Sequence, residues 1–209
     1  MIVLKPMLDP PTGSRPQAVR DLEPPAAPGT YALLMLASSE LWLKAGCLET
    51  TRLAPGIYVY VGSALGPGGL RARVSRHLTP GKIPHWHVDH LTEILPVVLV
   101  CFTVGPARVE CDWVRQLCAV PDASLPIRGF GSSDCREGCG SHLVRLPADA
   151  VGRLLLASGA RGGVPGVGSP QHCQAIALPH PEASFALRQA LLQLVELVQC
   201  IQGTERVHV

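Results

Sequence analysis

The stretch Gly56–His77, GIYVYVGSALGPGGLRARVSRH, decides what kind of fold this chain can adopt. Its β-branched and aromatic residues predict a strand over Ile57–Val61, and the Pro/Gly-rich residues that follow predict a turn. A helix is expected next, because Leu70, Val74 and Leu78 recur every four residues and form one apolar stripe. The stretch therefore predicts a strand, a tight turn and a short amphipathic helix.

Three side chains of this stretch suit chemistry on an anion. Arg73 and His77 lie four positions apart, which places them on one face of the helix. Each is one residue back from the apolar stripe, so we expect both at the border between core and solvent. Tyr60 lies near the end of the preceding strand. A phenol, a guanidinium and an imidazole that converge there would suit proton transfer and anion stabilisation.

The charged residues around this stretch are all basic, although the whole chain has a formal net charge of only +2. No acidic residue occurs between Glu49 and Asp89. A local basic patch is the footprint expected for a phosphate-bearing partner, and a solvated helix face is the alternative. A glycine turn at a helix start also lets a phosphate backbone approach closely. The predicted nucleic-acid contacts are Arg71, Arg76, Lys82, Gly68 and Gly69.

The length and composition indicate one folded domain with appendages, since the chain has 209 residues of which 47% are hydrophobic. Residues 1–28 contain seven prolines and predict a disordered leader. Residues 29–147 are expected to form the folded domain. Residues 148–209 are expected to hold a Gly/Pro-rich linker and an amphipathic helix over Glu182–Gln202. That helix would pack on its own domain or, alternatively, form a dimer with a second copy.

The remaining apolar segments of the folded domain alternate between strand and helix patterns. Strands are predicted at Tyr31–Ala37, paired through a short turn with Leu41–Ala45, and centrally at Pro96–Val104. Helices are predicted at Trp86–Glu93 and Arg108–Ala119. This alternation predicts a layered domain of mixed helices and strands.

No apolar run is long enough to span a bilayer, because the longest, Leu95–Val104, is about half of the ~20 residues required. Early prolines interrupt the N-terminus, which shows no signal-peptide pattern. We therefore expect no membrane partner and a cytoplasmic location. The eight cysteines are then expected to be thiols or metal ligands rather than disulfides.

Two of these cysteines and a nearby histidine have a spacing that fits zinc loosely: Cys135, Cys139 and His142. A fourth ligand would come from one of three residues: His87, His90 or Asp134. Buried free thiols are the alternative interpretation.

The segment Tyr60-Val61-Gly62-Ser63-Ala64, followed by Arg73 and His77, resembles the second half of the GIY-YIG nuclease signature. Gly29-Thr30-Tyr31 resembles the first half. The later HWHVD, GFGSSDC and SHL patterns are similar to the Uri-type branch, and the resemblance covers about residues 29–146. It implies an α+β fold with a small three-stranded antiparallel sheet flanked by helices. It also implies an endonuclease that hydrolyses DNA phosphodiester bonds with Mg²⁺ or Mn²⁺.

The resemblance also implies a catalytic set. Its members from the two signature halves and the helix are Tyr31, Tyr60, Arg73 and His77. His85 resembles a further histidine of homing-type members. Glu110, which precedes a tryptophan by three positions, resembles the single metal-binding glutamate.

One departure from the family concerns an asparagine that many members carry after this glutamate helix. The present chain contains no asparagine, so Ser133 or Asp134 would take its place. Two other functions stay open. The same fold could bind nucleic acid without cutting it, or the Cys135–His142 region could form a zinc-stabilised interaction domain.

Overall fold

The computed structural model describes residues 24–147 and 173–177. The predicted linker, the helix over Glu182–Gln202 and most of the leader lie outside the described residues. The described strands are β1 (Gly29–Ala37), β2 (Leu41–Leu43), β3 (Thr51–Leu53), β4 (Gly56–Ala64), β5 (Val97–Val104), β6 (Leu143–Leu146) and β7 (Cys173–Ala177). The described helices are α1 (Gly69–Leu78), α2 (His87–Thr92) and α3 (Glu110–Cys118).

The main sheet has five described strands in the order β6-β4-β1-β5-β7, and each neighbouring pair is antiparallel. The predicted α+β fold, an antiparallel sheet flanked by helices, is confirmed. The central β4-β1-β5 strands match the three implied by the resemblance, and β6 and β7 extend the sheet at its edges. β5 lies inside the sheet, as its continuous apolar run predicts.

The two faces of the sheet bury different side chains, because alternate strand residues point to opposite sides. The front face carries Tyr31, Leu33 and Tyr60, and the helices α1 and α2 pack against it. The back face carries Val59 and Val61 and is covered by α3. The helix α3 buries Trp113, Val114 and Leu117 there, as its sequence pattern predicts.

The predicted pairing of Leu41–Ala45 with β1 is wrong. β2 pairs instead with β3 in a separate two-stranded sheet. The reason is that β1 already has β4 on one side and β5 on the other, so no edge of β1 is available. The strand that contains Tyr60 is also longer than predicted, because β4 continues to Ala64.

The last residues of the predicted leader are ordered against the start of α1. The carbonyl of Ala27 accepts a hydrogen bond from Leu70 N–H at 2.9 Å, and that of Pro25 accepts one from Arg71 N–H at 3.0 Å. The approach is close, since a Cβ on Gly69, whose φ is +54°, would lie 2.2 Å from the Ala27 carbonyl oxygen. Among the described helices, none is long and apolar enough to cross a membrane.

Candidate functional site

The two predicted tyrosines lie beside each other on the front face. β1 and β4 are neighbours, with Tyr31 opposite Gly62 and Leu33 opposite Tyr60. The two tyrosine rings are 6.3 Å apart between centroids. Gly62 is needed for this packing, because a Cβ there would lie 2.7 Å from the Tyr31 hydroxyl. The register therefore brings together two residues that are far apart in the chain.

His77 joins the two tyrosines from α1. The prediction that His77 lies at the border of core and solvent is wrong, because it is only 1% exposed. Its Nε2 lies 2.8 Å from the Tyr31 hydroxyl, and its Nδ1 lies 2.9 Å from Asp89 Oδ1. An ionised carboxylate only accepts hydrogen bonds, so Nδ1 carries the proton and Nε2 accepts from Tyr31. The three side chains form a Tyr31–His77–Asp89 hydrogen-bonded chain with a fixed proton direction.

Asp89 is a site residue that sequence reasoning missed. Its second oxygen accepts hydrogen bonds from the backbone N–H groups of His85 at 2.9 Å and Trp86 at 3.1 Å, and from Arg76 at 3.3 Å. Burial acts against its charge, but the hydrogen bonds from His77 and from the two amides hold the pKa of Asp89 well below its usual range. The available signal was its position in the first turn of α2, where a carboxylate caps free amides.

Burial keeps the other groups of the cluster neutral. It raises the pKa of Tyr31 well above its ordinary value and that of Tyr60 to about 12, although nearby Arg73 acts in the opposite direction on both. Burial also lowers the pKa of His77. Each tyrosine is therefore a phenol at neutral pH, and proton transfer from it requires an acceptor already in place.

Arg73 reaches the cluster from the solvent side of α1. Its guanidinium carbon lies 4.1 Å from the centroid of the half-buried Trp86 ring, in a cation–π contact. His85 packs edge-on against the same ring at 4.5 Å and is otherwise exposed. The contact of His85 is therefore with Trp86 and not with the tyrosine rings.

Two of the cations predicted to contact nucleic acid already donate hydrogen bonds to groups of the protein itself. The Lys82 side chain is only 5% exposed, and its ammonium donates to the His77 carbonyl and to Glu93. Arg76 donates to the Ile83 carbonyl at 2.8 Å as well as to Asp89. Both cations hold the loop between α1 and α2.

The backbone N–H groups at the start of α1 also have hydrogen-bond acceptors within the protein. The carbonyls of Gly66, Ala27, Pro25 and Gly68 accept the hydrogen bonds of the backbone N–H groups from Gly69 to Ala72. The turn at Gly68 and Gly69 forms as predicted, with φ values of +79° and +54°. It offers no free helix-start amides to a phosphate, whereas the side chain of Arg71 is exposed.

Glu110 lies outside the tyrosine cluster. It begins α3 on the back face, at the same end of the sheet as Tyr31, since β5 ends where β1 starts, with Val104 opposite Gly29. Its Oε1 lies 3.4 Å from an Arg108 nitrogen. Its buried Oε2 has no hydrogen-bond partner among the described residues. This orphaned oxygen fits a role as a cation ligand.

A cavity of about 520 Å³ opens beside Glu110. Its lining includes Arg108, Glu110, Arg115, Asp134, Arg136 and His142. Asp134 also lies close enough to Tyr60 to raise the pKa of that phenol. Asp134 therefore connects the cavity electrostatically to the tyrosine cluster.

Four soft ligands converge at the same cavity. Cys111, Cys135, Cys139 and His142 place one ligand atom each within 4.8 Å of one another, an arrangement that could hold a metal ion. The fourth candidate ligand atom of this group comes from Cys111, and not from His87, His90 or Asp134 as predicted. The His87 ring instead accepts a hydrogen bond from Gly131 N–H at 3.1 Å. Spacing could not reveal Cys111, because it lies on α3, far from the other three ligands in the chain.

The electrostatics of the cluster favour a cation. Although burial acts in the opposite direction, the backbone N–H groups of Cys139 and Glu137 lower the pKa of Cys135 to about 6. Burial and the neighbouring sulfurs raise the pKa of Cys111. Three sulfurs this close cannot all be thiolates unless a positive charge compensates them.

The fold and these side chains define a class of protein. It is an α+β domain with a buried Tyr–His–Asp chain on the front face and a Cys₃His cluster that could hold a metal at the cavity. The family model described as "Domain of unknown function DUF123" matches residues 30–158, and the chain belongs to that family. Comparison with curated proteins and with solved structures gives no match.

Proposed function

We propose that this protein is a metal-dependent endonuclease of the GIY-YIG type that hydrolyses DNA phosphodiester bonds. The observation that carries the proposal is the convergence of Tyr31, Tyr60, Arg73 and His77, which come from β1, β4 and α1. The same residues carry the resemblance in the sequence. Proton-transfer groups and a guanidinium at one point are what phosphodiester hydrolysis requires.

The roles follow from the contacts. Arg73 would bind the scissile phosphate through two parallel hydrogen bonds, and its stacking on Trp86 orients the guanidinium plane. Tyr60 would take a proton from the attacking water while its own phenolic proton passes to the Tyr31 oxygen and the Tyr31 proton passes to His77 Nε2. Because the pKa of Tyr60 is about 12, this requires help from the positive charge of Arg73, which favours the phenolate.

Tyr31 is proposed to position the proton transfer. Its hydroxyl proton points to His77 Nε2, since Asp89 holds the other ring nitrogen in the protonated form. The Tyr31 oxygen therefore keeps lone pairs directed away from His77, where it could accept from Tyr60. His77 and Asp89 would fix that orientation rather than contact the substrate.

The residues present fit a hard divalent ion at Glu110. The orphaned Oε2 provides one carboxylate oxygen, and Asp134 lines the same cavity. Mg²⁺ is commonly held by one or two carboxylates with the remaining positions filled by water. Glu110 would thus hold Mg²⁺ or Mn²⁺, which supplies neutralisation of charge on the phosphate.

The Cys₃His cluster is suited to a different metal. Thiolate sulfur and imidazole nitrogen select Zn²⁺ over Mg²⁺, which prefers oxygen. We therefore assign zinc to this cluster, separate from the ion at Glu110.

A second candidate function is a nucleic-acid-binding module that does not cut. One observation favours it: Glu110 lies on the back face and pairs with Arg108, whereas the tyrosines lie on the front face. DNA is the proposed partner under both functions. A cytoplasmic location and a dimer through the C-terminal helix stay predictions.

The test is cleavage of plasmid, branched, flapped and single-stranded DNA with Mg²⁺, with Mn²⁺ and with EDTA. Wild-type protein should cut at least one substrate in a metal-dependent way. Tyr60→Phe and Arg73→Ala should each lower the rate of cleavage by about 10²-fold or more while the protein remains folded.

Tyr58→Phe is the matched control, since Tyr58 is a buried β4 tyrosine that donates to the Ala54 carbonyl outside the cluster. Metal-dependent cutting by Tyr60→Phe at the wild-type rate would remove the tyrosine from the mechanism. DNA binding without cutting by wild type would favour the binding module.

A further inference from the structure

The loop over residues 129–142 is held by isolated contacts and not by regular secondary structure. It contains no described helix or strand, and four of its glycines have positive φ: Gly129, Gly131, Gly138 and Gly140. Two backbone hydrogen bonds close it at its base, from Gly129 N–H to the Gly140 carbonyl and from His142 N–H to the Phe130 carbonyl. A glycine-rich loop loses much conformational entropy when it becomes ordered, so a further attachment would stabilise this one.

This loop nevertheless buries Tyr60. The Phe130 ring is fully buried and packs edge-on against the Tyr60 ring with centroids 6.0 Å apart. Gly131 lies flat against the same ring, since a Cβ there would be 2.5 Å from a ring carbon. The His142 carbonyl also accepts a hydrogen bond at 2.9 Å from Val61 N–H, next to Tyr60. The position of the loop therefore sets the environment of the tyrosine.

The Cys₃His cluster connects this loop to α3. Cys135 and Cys139 lie within the loop, His142 ends it, and Cys111 lies in the first turn of α3, next to Glu110. The Cys111 sulfur is 3.6 Å from that of Cys135 and 3.9 Å from His142 Nε2. A tetrahedron with metal–sulfur bonds of about 2.3 Å has edges of about 3.8 Å. These two separations are close to that edge, and all four ligand atoms lie within 4.8 Å of one another.

The ligand set also fits that ion. Three thiolates and one neutral imidazole around Zn²⁺ leave one net negative charge, a small residual charge that a cavity lined by both arginines and carboxylates can surround. All four ligands come from the protein, which is the arrangement of structural rather than catalytic zinc sites.

From this geometry we propose that Cys111, Cys135, Cys139 and His142 form a structural zinc centre that fastens the 129–142 loop to α3. By holding the loop, the centre covers Tyr60 on the front face. By holding the first turn of α3, it fixes Glu110 at the cavity. The inference rests on the zinc assignment and not on nuclease activity, so its test needs no DNA.

The first measurement is metal content. Purified wild type should carry one zinc per chain by elemental analysis and native mass spectrometry, and Co²⁺ exchanged into the site should give the absorption of tetrahedral cobalt–thiolate coordination. Cys135→Ser with Cys139→Ser should abolish both signals. Cys118→Ser is the matched control, because Cys118 is an exposed thiol on the same helix and outside the cluster. Full zinc content in the double variant would overturn the assignment.

The second measurement is amide hydrogen exchange in the holo protein, in the chelator-treated protein and in His142→Ala. Loss of zinc should speed exchange across residues 129–142 and at Val61 by about tenfold or more, while β1 and β5 stay protected. His142→Cys keeps four ligands and should retain both zinc and protection. That variant keeps the test decisive if His142→Ala fails to fold. Unchanged protection of the loop after verified zinc loss would show that the centre does not hold it and would overturn the proposal.

Discussion

The tyrosine cluster on the front face and the cavity beside Glu110 satisfy their polar groups in different ways. On the front face, Tyr31, His77 and Asp89 form a closed chain in which protein donors supply every hydrogen bond to the carboxylate. At the cavity, a buried Glu110 oxygen has no partner among the described residues, and four metal-binding atoms converge. A buried carboxylate that accepts enough hydrogen bonds from protein donors needs no bound ion, whereas several anionic ligands gathered together need cations. We expect perturbations to act accordingly, through fold stability on the front face and through metal binding at the cavity.

The largest expected effect tests the cavity. Glu110→Gln keeps the side-chain size but removes the charge that would hold a divalent ion, so cleavage should fall to background across a Mg²⁺ titration. DNA binding measured in EDTA should persist. Glu137→Gln is the matched control, because Glu137 is an exposed acid at the same cavity that pairs with Arg115. Undiminished metal-dependent cutting by Glu110→Gln would show that another carboxylate holds the ion, and Asp134 would be the next residue to test.

A smaller effect tests the front face. Asp89→Asn removes a buried charge that accepts hydrogen bonds from several donors, and it should lower the free energy of unfolding by about 2–4 kcal/mol at pH 7. The pKa of Asp89 is held below its ordinary value of 3.8, so its contribution is present above that pH and is lost as the pH falls further. The difference in the free energy of unfolding between wild type and Asp89→Asn should therefore shrink below about pH 4.

Urea unfolding of wild type and Asp89→Asn at several pH values measures this effect. The control is Asp112→Asn, which removes an exposed carboxylate that pairs with Arg115 on α3. A deficit that stays constant between pH 7 and pH 3 would show that charge on Asp89 does not stabilise the fold.

The smallest effect separates an exposed cation from a buried one. Arg71 is exposed at the start of α1 and donates through Nε to the Pro24 carbonyl at 3.3 Å, whereas the Lys82 side chain is only 5% exposed and its ammonium donates to several protein acceptors. Arg71→Glu should weaken DNA binding and reduce the slope of log affinity against log salt by about one. Arg128→Glu, at an exposed site outside the basic window, provides the charge-matched comparison. An equal change of slope in both variants would mean that the binding surface extends beyond α1.

Local pattern was enough to predict much of this molecule. Short apolar runs identify β1, β4 and β5, and the four-residue spacing of apolar residues identifies α1. The reason is that the spacing of apolar side chains differs between strands and helices. The signature residues then indicated that Tyr31, Tyr60, Arg73 and His77 belong together, and the structure brings those four side chains to one place. The structure also brings Cys135, Cys139 and His142 together in one cluster that could hold a metal ion.

Other features depend on which elements meet in space. β2 pairs with β3 because both sides of β1 are taken, and the Lys82 side chain is buried because its ammonium donates to the His77 carbonyl and to Glu93. Asp89 ionises within the core only because amides, His77 and Arg76 converge on it. Cys111 joins the other three candidate ligands only because α3 packs against the sheet. Period and spacing report interactions between near neighbours, whereas these contacts join distant segments, so only the tertiary structure decides them.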